Sequence, residues 1–273
     1  WGGVEPIIHY LANPLGESAT TAAARQAMAL TMFHWGFHGW GVYTLCAVAV
    51  AFHGFRHRKN YLISSAVTGL VASPVLSRVL GVVADLTATL AIIFGLAASL
   101  GTGSLQLAAG LDTTLGWHTS SANGYTAIIG VLTLAFLVSA STGLKKGIRI
   151  LSQLNMLLAL LLLLFIFFCG PTLMCIKLTV DTLGGYLSQL PILSFKVAPF
   201  TQNYETWMAD WTITYFTWWI AWAPFVGIFI ARISRGRTIK ELIVGSTLVP
   251  VIMTLVWFSF FGDRKSTRLN SSH

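Results

Sequence analysis

Long apolar runs alternate with short polar ones along this chain. Residues 23–53, 80–111, 125–140, 154–170 and 242–261 carry few charges, and another run begins near residue 206 and ends at Arg232. Each is far longer than a strand of about 5–6 residues. Large apolar side chains occupy every side of the projected helix, as in LNMLLALLLLLFIFFCG at 154–170, the pattern of a helix solvated by lipid. About 20 such residues cross the hydrocarbon layer, so the pattern predicts six membrane spans. Residues 1–14 read as the outer end of a helix whose beginning is missing. Residues 61–78, with breakers at Gly69 and Pro74, read as amphipathic or re-entrant. Residues 112–123 form a polar loop, and 171–205, too long for a simple connection, is expected to hold an interfacial helix at 179–190. The run at 80–111 is rich in Gly, Ala, Ser and Thr, which predicts close helix packing.

Composition places these runs in a membrane. The 273 residues are 55% hydrophobic and 10% charged, against roughly 25% charged in soluble domains, so the fold class is all-α integral membrane. The formal charge of +8 does not point to nucleic acid, because the basic residues sit in short clusters between spans. Arg56, Arg58, Lys59, Arg78, Lys145, Lys146, Arg149, Arg232, Arg235, Arg237 and Lys240 fall on one side, and Arg25, Lys177 and Lys196 on the other. The richer side is cytoplasmic, which predicts a multi-pass protein of the inner (cytoplasmic) membrane with the lipid bilayer as a partner. Cys46, Cys169 and Cys175 lack metal-type spacing and read as small buried hydrophobes. The chain opens on Trp1 inside an element already under way and reads as a piece of a longer protein. The stretch DRKSTRLNSSH at 263–273 breaks the pattern abruptly and reads as a translated sequencing adapter. The domain reading is therefore a partial membrane domain over 1–262 followed by a non-native tail.

The densest chemistry lies in WMADWTITYFTWWIAWAPFVGIFIARISRGRTIKE at 207–241, which holds five of the ten tryptophans. An interfacial aromatic belt accounts for Trp207 and Trp211. Trp218, Trp219 and Trp222 lie deeper, beside Pro224, and a proline break is tolerated in a span where the freed carbonyl finds another partner. Indoles clustered at such a break predict a binding site at membrane depth, and ring faces attract quaternary ammonium groups. Ser234 and Gly236 among Arg232, Arg235 and Arg237 predict a turn, with the arginines holding an inner gate or binding anionic head groups. His34 and His38, and His53 and His57, stand four apart, a spacing that can hold a metal on one helical face. That keeps a His-ligated, desaturase-like membrane metalloenzyme as an alternative. No further ligand cluster accompanies the pairs, whereas a catalytic metal takes at least three protein ligands, so no metal and no enzyme activity are expected. Glu5 and Asp85 are carboxylates at or near membrane depth and hence functional candidates; the plainer readings are a helix cap for Glu5 and a cytosolic arginine partner for Asp85. A channel lacks its filter here, either a carbonyl run or a charged ring.

The stretch WTITYFTWWIAWAPFVGIFIARISRGRTIKE closely resembles the signature of the betaine/carnitine/choline transporters. GGVEPIIH resembles the end of that family's third helix, FHWGFHGWGVY its fourth, DLTATLAIIFGLAASLGTGSLQLAAGL its fifth, STGLKKGIRILSQLNMLLAL and CGPTL its sixth and seventh, and LVPVIMTLVWFSFFG its ninth. The resemblance implies an inverted-repeat (LeuT-like) secondary transporter fold, truncated at both ends, with a site near mid-membrane. It implies transport of choline, glycine betaine or carnitine, with ectoine uptake as an alternative, and assembly as a homotrimer. The family's aromatic box maps onto Trp35, Trp40 and Tyr43, and onto Trp218, Trp219 and Trp222. Offsets of five and eight positions place the first three on one broad face of a continuous helix. Gate or ion-pathway positions map onto Phe216, Phe225, Ser99, Arg232, Arg235 and Arg237; Phe216 stands where many members have tryptophan. The implied coupling ion is Na+ or H+. Two threonines of one sodium site correspond to Ile92 and Leu96, which offer no oxygen to a hard cation, so two-sodium coupling is disfavoured.

Overall fold

The computed structural model describes residues 2–68, 70–141, 147–197 and 202–270. Side chains of 140, 147–148, 202–203 and 263–270 lie outside the description. The breaker Gly69 and the basic residues Lys145 and Lys146 therefore fall outside the described residues. The suspected tail at 263–273 is described only in its backbone, and only as far as Asn270.

The described residues contain helices and no strand. In chain order they are α1 (Val4–Leu11), α2 (Thr21–Trp35), α3 (Phe37–Ala51), α4 (Ile63–Val67), α5 (Pro74–Leu115), α6 (Ala122–Ser141), α7 (Gly147–Cys169), α8 (Thr172–Phe195), α9 (Gln202–Met208), α10 (Thr214–Ile233) and α11 (Ile239–Asn270). Turns of π-helix at Phe52–Arg56 and Ala209–Ile213 extend α3 and join α9 to α10. Six helical runs among the described residues are long and apolar enough to cross a membrane: Thr21–Arg56, Pro74–Leu115, Ala122–Ser139, Arg149–Cys169, Tyr204–Ile233 and Ile239–Gly262. The expected six spans and all-α membrane class are thus present.

Contacts divide the chain into two units. One comprises the described residues of 1–90 and 165–273, the other 91–164. The second holds the distal part of α5, α6 and most of α7. Its polar turn is closed by Asp112, whose Oδ1 accepts the Thr119 backbone N–H and hydroxyl at 2.6 Å each and whose Oδ2 accepts the Ser120 N–H at 2.9 Å.

The first unit has its core where α2, α8 and α11 meet, around Leu30, Met32, Tyr186, Leu193 and Leu255. Local signals start these helices. The Thr20 hydroxyl accepts the Ala23 N–H at 3.1 Å, an N-cap for α2. Thr238 and Glu241 form a capping box on α11, with Thr238 N–H donating to Glu241 Oε2 at 2.8 Å and Glu241 N–H donating to Thr238 Oγ1 at 3.1 Å. Pro74 opens α5, where a proline without N–H is at home. The turn expected at 234–236 is present, with Gly236 in the left-handed region at φ +83°.

Three elements differ from expectation. The span expected over 23–53 bends at Gly36, which separates α2 from α3. The interfacial helix expected at 179–190 extends over Thr172–Phe195, because Cys175, Thr182, Tyr186 and Leu193 bury one side of it while Tyr186 and Leu193 join the core of α2 and α11. Pro224 does not interrupt α10, which runs through it. Close packing of α10 on α3 holds it there: a Cβ on Gly227 would lie 2.5 Å from Cys46 Sγ and 3.1 Å from the Ala47 backbone nitrogen.

Candidate functional site

The bend at Gly36 organises the site. It leaves backbone groups that side chains satisfy. The Phe37 N–H donates to the Tyr186 hydroxyl at 2.8 Å, and the His34 carbonyl accepts the Trp219 indole N–H at 2.9 Å. Gly36 is required because a Cβ there would meet the Met32 carbonyl oxygen and the Tyr186 hydroxyl. Gly39 serves Trp219 in the same way: a Cβ would overlap its Cε2 and lie 2.6 Å from Cζ2 and 2.7 Å from Nε1. The indole thus lies flush on the α3 backbone, pinned by one hydrogen bond.

Trp219 is the centre of a ring cluster. Its ring centroid lies 4.8 Å from Tyr43, 5.6 Å from Trp40 and 5.9 Å from Trp35, all within the spacing of interacting aromatic pairs. Tyr215 joins through Trp35 at 5.2 Å. The three α2–α3 candidates therefore converge on one indole, although the bend at Gly36 replaces the continuous face expected for them. Trp222 packs at the edge of this cluster and meets Phe225 at 5.8 Å. The indole nitrogens of Trp40 and Trp222 are buried without a hydrogen-bond partner. Trp218 is half-buried and is not among the residues packed on this cluster; it precedes Trp219 by about 100° around the helix and so faces elsewhere.

Of the remaining candidates, Phe216 also packs on this cluster and the others disperse. Phe216 meets Phe33 at 5.8 Å and His38 at 5.9 Å. Phe225 is 52% exposed. Ser99 lies in the other unit, where its carbonyl accepts the Thr102 hydroxyl at 3.3 Å. Arg232 stands over the Tyr61 ring at 5.8 Å, Arg237 pairs with Glu241 at 3.8 Å, and Arg235 is exposed. A cavity of about 430 Å³ has Trp40 and Ser246 in its wall together with Arg237 and Glu241. Of the three arginines, only Arg237 lines it.

The expected histidine pairs do not form metal sites. The bend separates His34 from His38, whose Nε2 is 3.0 Å from Ser194 Oγ. His53 Nδ1 binds the Ala49 carbonyl oxygen at 2.9 Å; its ring lies 5.6 Å from that of His57, but no third ligand joins the pair among the described residues. Among the described residues no arginine pairs with Asp85; its Oδ1 accepts the Ser64 N–H at 2.8 Å and so caps α4.

Glu5 is the residue whose setting was not foreseen. It is fully buried, as are His9 and His34. Its Oε1 lies 2.7 Å from His34 Nδ1 and 3.4 Å from His9 Nε2. Its Oε2 accepts the Trp35 indole N–H at 2.7 Å and the Tyr215 hydroxyl at 2.6 Å. A carboxylate thus ties α1 to α2 and α10 and fixes two rings of the cluster. Trp207 and Trp211 belong to this assembly. Trp207 Nε1 donates to His9 Nδ1 at 3.4 Å, and the Trp211 ring lies 4.5 Å from His9. The signal available in sequence was the pair Glu5 and His9, one turn apart in an otherwise apolar element. The donor atoms of Glu5, His9 and His34 lie within 4.8 Å of one another, so this set could hold a metal by donor type, but both carboxylate oxygens are already engaged.

Residues 1–270 match the model of the betaine/carnitine/choline family transporters. The glycine betaine transporter OpuD of Bacillus subtilis is 41% identical over 96% of this chain and 51% of its own length. A glycine betaine transporter of Acinetobacter baylyi is 40% identical over 96% of this chain and 39% of its own. The high-affinity choline transport protein of Escherichia coli is 38% identical over 95% of this chain and 38% of its own. The chain thus spans about two-fifths to half the length of these relatives.

Proposed function

The chain belongs to the betaine/carnitine/choline transporter family, and from that premise we propose that the complete protein carries a small quaternary ammonium solute, choline or glycine betaine, across the cytoplasmic membrane. The observation that carries this reading is the convergence of Tyr43, Trp40 and Trp35 on Trp219. A trimethylammonium group donates no N–H hydrogen bond, so ring faces are what recognise it, at about 0.5–2 kcal/mol per contact. The unpartnered indole N–H groups of Trp40 and Trp222 supply donors for the polar end of such a solute, a hydroxyl or a carboxylate. The relatives named for glycine betaine and for choline support both candidates.

The cavity with Trp40 and Arg237 in its wall is a route from the rings to an inner gate, with Arg237 and Glu241 as its closing pair. One-sodium symport, proton symport and substrate exchange all fit this reading, while two-sodium coupling is disfavoured because Ile92 and Leu96 provide no oxygen where the resemblance places two threonines. Assembly as a homotrimer belongs to the same reading. The test is uptake of labelled choline and glycine betaine by the complete gene product, with sodium and the proton gradient removed in turn. Accumulation that depends on sodium linearly or not at all is expected. Uptake rising with the square of sodium concentration would sink the coupling proposal, and accumulation of neither solute would sink the transport proposal.

A further inference from the structure

The hydrogen bonds around Glu5 can be drawn with neutral partners, and His9 Nε2, close to the carboxylate, makes none. An indole N–H only donates. Trp207 Nε1, 3.4 Å from His9 Nδ1, therefore leaves that nitrogen as an acceptor and the proton of a neutral His9 on Nε2, which faces Glu5 Oε1 at 3.4 Å. His34 presents Nδ1 to Glu5 at 2.7 Å, and its Nε2 lies 3.0 Å from the Thr212 hydroxyl, which can donate to it. Trp35 and Tyr215 donate to Oε2 as neutral groups. No lysine or arginine is within ion-pair distance of Glu5 among the described residues. A buried carboxylate that keeps its charge without a counter-charge is costly.

Trp35 lies between this carboxylate and the cage. Its indole nitrogen binds Glu5, and its ring stands 5.9 Å from Trp219. We infer that Glu5 is the counter-charge of the ring cage: its negative charge is completed by the cationic head of the solute that enters, and it strengthens the preference for a cation over an uncharged molecule of equal shape. This rests on the reading of the cage as the quaternary ammonium site. Ring faces already favour a trimethylammonium group over a tert-butyl group through the ring quadrupole, and the carboxylate adds to that preference. Through Trp35 and Tyr215 it also acts as a positioning residue for the cage.

The test uses the complete gene product, purified in lipid nanodiscs, and equilibrium binding of choline and of 3,3-dimethylbutan-1-ol, its uncharged isostere. Wild type is expected to prefer choline. Glu5→Gln keeps the shape and removes the charge. It should weaken choline binding about tenfold, as the loss of one charge pair near a protein's effective dielectric implies, while binding of the isostere changes less than about twofold. A merely structural role would shift both ligands by the same factor and leave the preference intact, which would overturn the inference. So would an unchanged choline affinity. Should Glu5→Gln fail to fold, His9→Lys places an ammonium beside the carboxylate and neutralises it in place. A preference for choline undiminished from wild type in that variant would equally overturn the inference. A wild-type protein that binds neither choline nor glycine betaine would bring down the cage reading itself.

Discussion

Gly39→Ala tests the cage with a single methyl group. The added Cβ would overlap Trp219 Cε2 and sit 2.6 Å from Cζ2, well inside contact distance, and the clash involves a ring on the neighbouring helix rather than a flexible chain end. The indole must tilt or α10 must shift away. Tilting breaks the 2.9 Å hydrogen bond from Trp219 to the His34 carbonyl, which costs about 1–1.5 kcal/mol. Overpacking of this kind costs about 1–3 kcal/mol more, offset by up to about 1 kcal/mol from the better helix propensity of alanine. The net loss of stability is then about 1–3.5 kcal/mol. A displaced indole also forfeits one cation–π contact, so choline or betaine affinity should fall about 2–30-fold. Gly41→Ala is the control, because nothing lies within 4 Å of a Cβ there and its propensity gain is the same. Thermal unfolding and equilibrium binding on the complete protein give both quantities. If Gly39→Ala matched Gly41→Ala in stability and affinity, Trp219 would not lie against α3 and the cage geometry would be refuted.

Gly227→Ala should destabilise the α3–α10 contact by about 1–3 kcal/mol, since its Cβ would lie 2.5 Å from Cys46 Sγ; Cys46→Ala in the same chain should restore part of the loss, and a double-mutant cycle showing no coupling would exclude that contact. Tyr186→Phe removes the acceptor of the Phe37 N–H and should cost about 1–3 kcal/mol for the orphaned donor, read as a lower unfolding temperature; an unchanged temperature would mean that the bend at Gly36 is held otherwise. Thr238→Ala dissolves the capping box of α11 and should cost about 1 kcal/mol, with Thr238→Ser close to wild type; equal losses in both variants would show that the hydroxyl is not the cap.

The spans were legible because a lipid-facing helix must be apolar all round, and that property is local. The turn at Gly236 was legible for the same reason, being written within a few residues. The bend at Gly36 was not. A glycine inside an apolar helix can serve close packing or a kink, and the choice depends on Tyr186, 150 positions away, which supplies the hydroxyl that the freed N–H needs. Pro224 shows the converse. A proline suggests a break, but α10 is packed on α3 through Gly227 and Gly39, and the helix continues. The rings of the cage could be placed by residue type and resemblance, yet their shared contact with Trp219 depends on helix packing. Glu5 was visible as an unusual carboxylate, whereas its donors come from three helices, with Tyr215 separated from it by 210 positions. Buried polar networks of that kind are invisible to any periodicity.

The central claim is that Trp219 forms the floor of a quaternary ammonium cage, and equilibrium binding of labelled choline and glycine betaine to Trp219 variants of the complete protein tests it most directly. Trp219→Phe keeps a weaker ring face and Trp219→Leu keeps only apolar bulk, so affinity should fall in the order Trp, Phe, Leu, with about 0.5–2 kcal/mol lost when the ring is removed. Trp117→Ala, at an indole that is 55% exposed, should bind as wild type does. Equal affinity in Trp219→Leu and wild type would contradict the account.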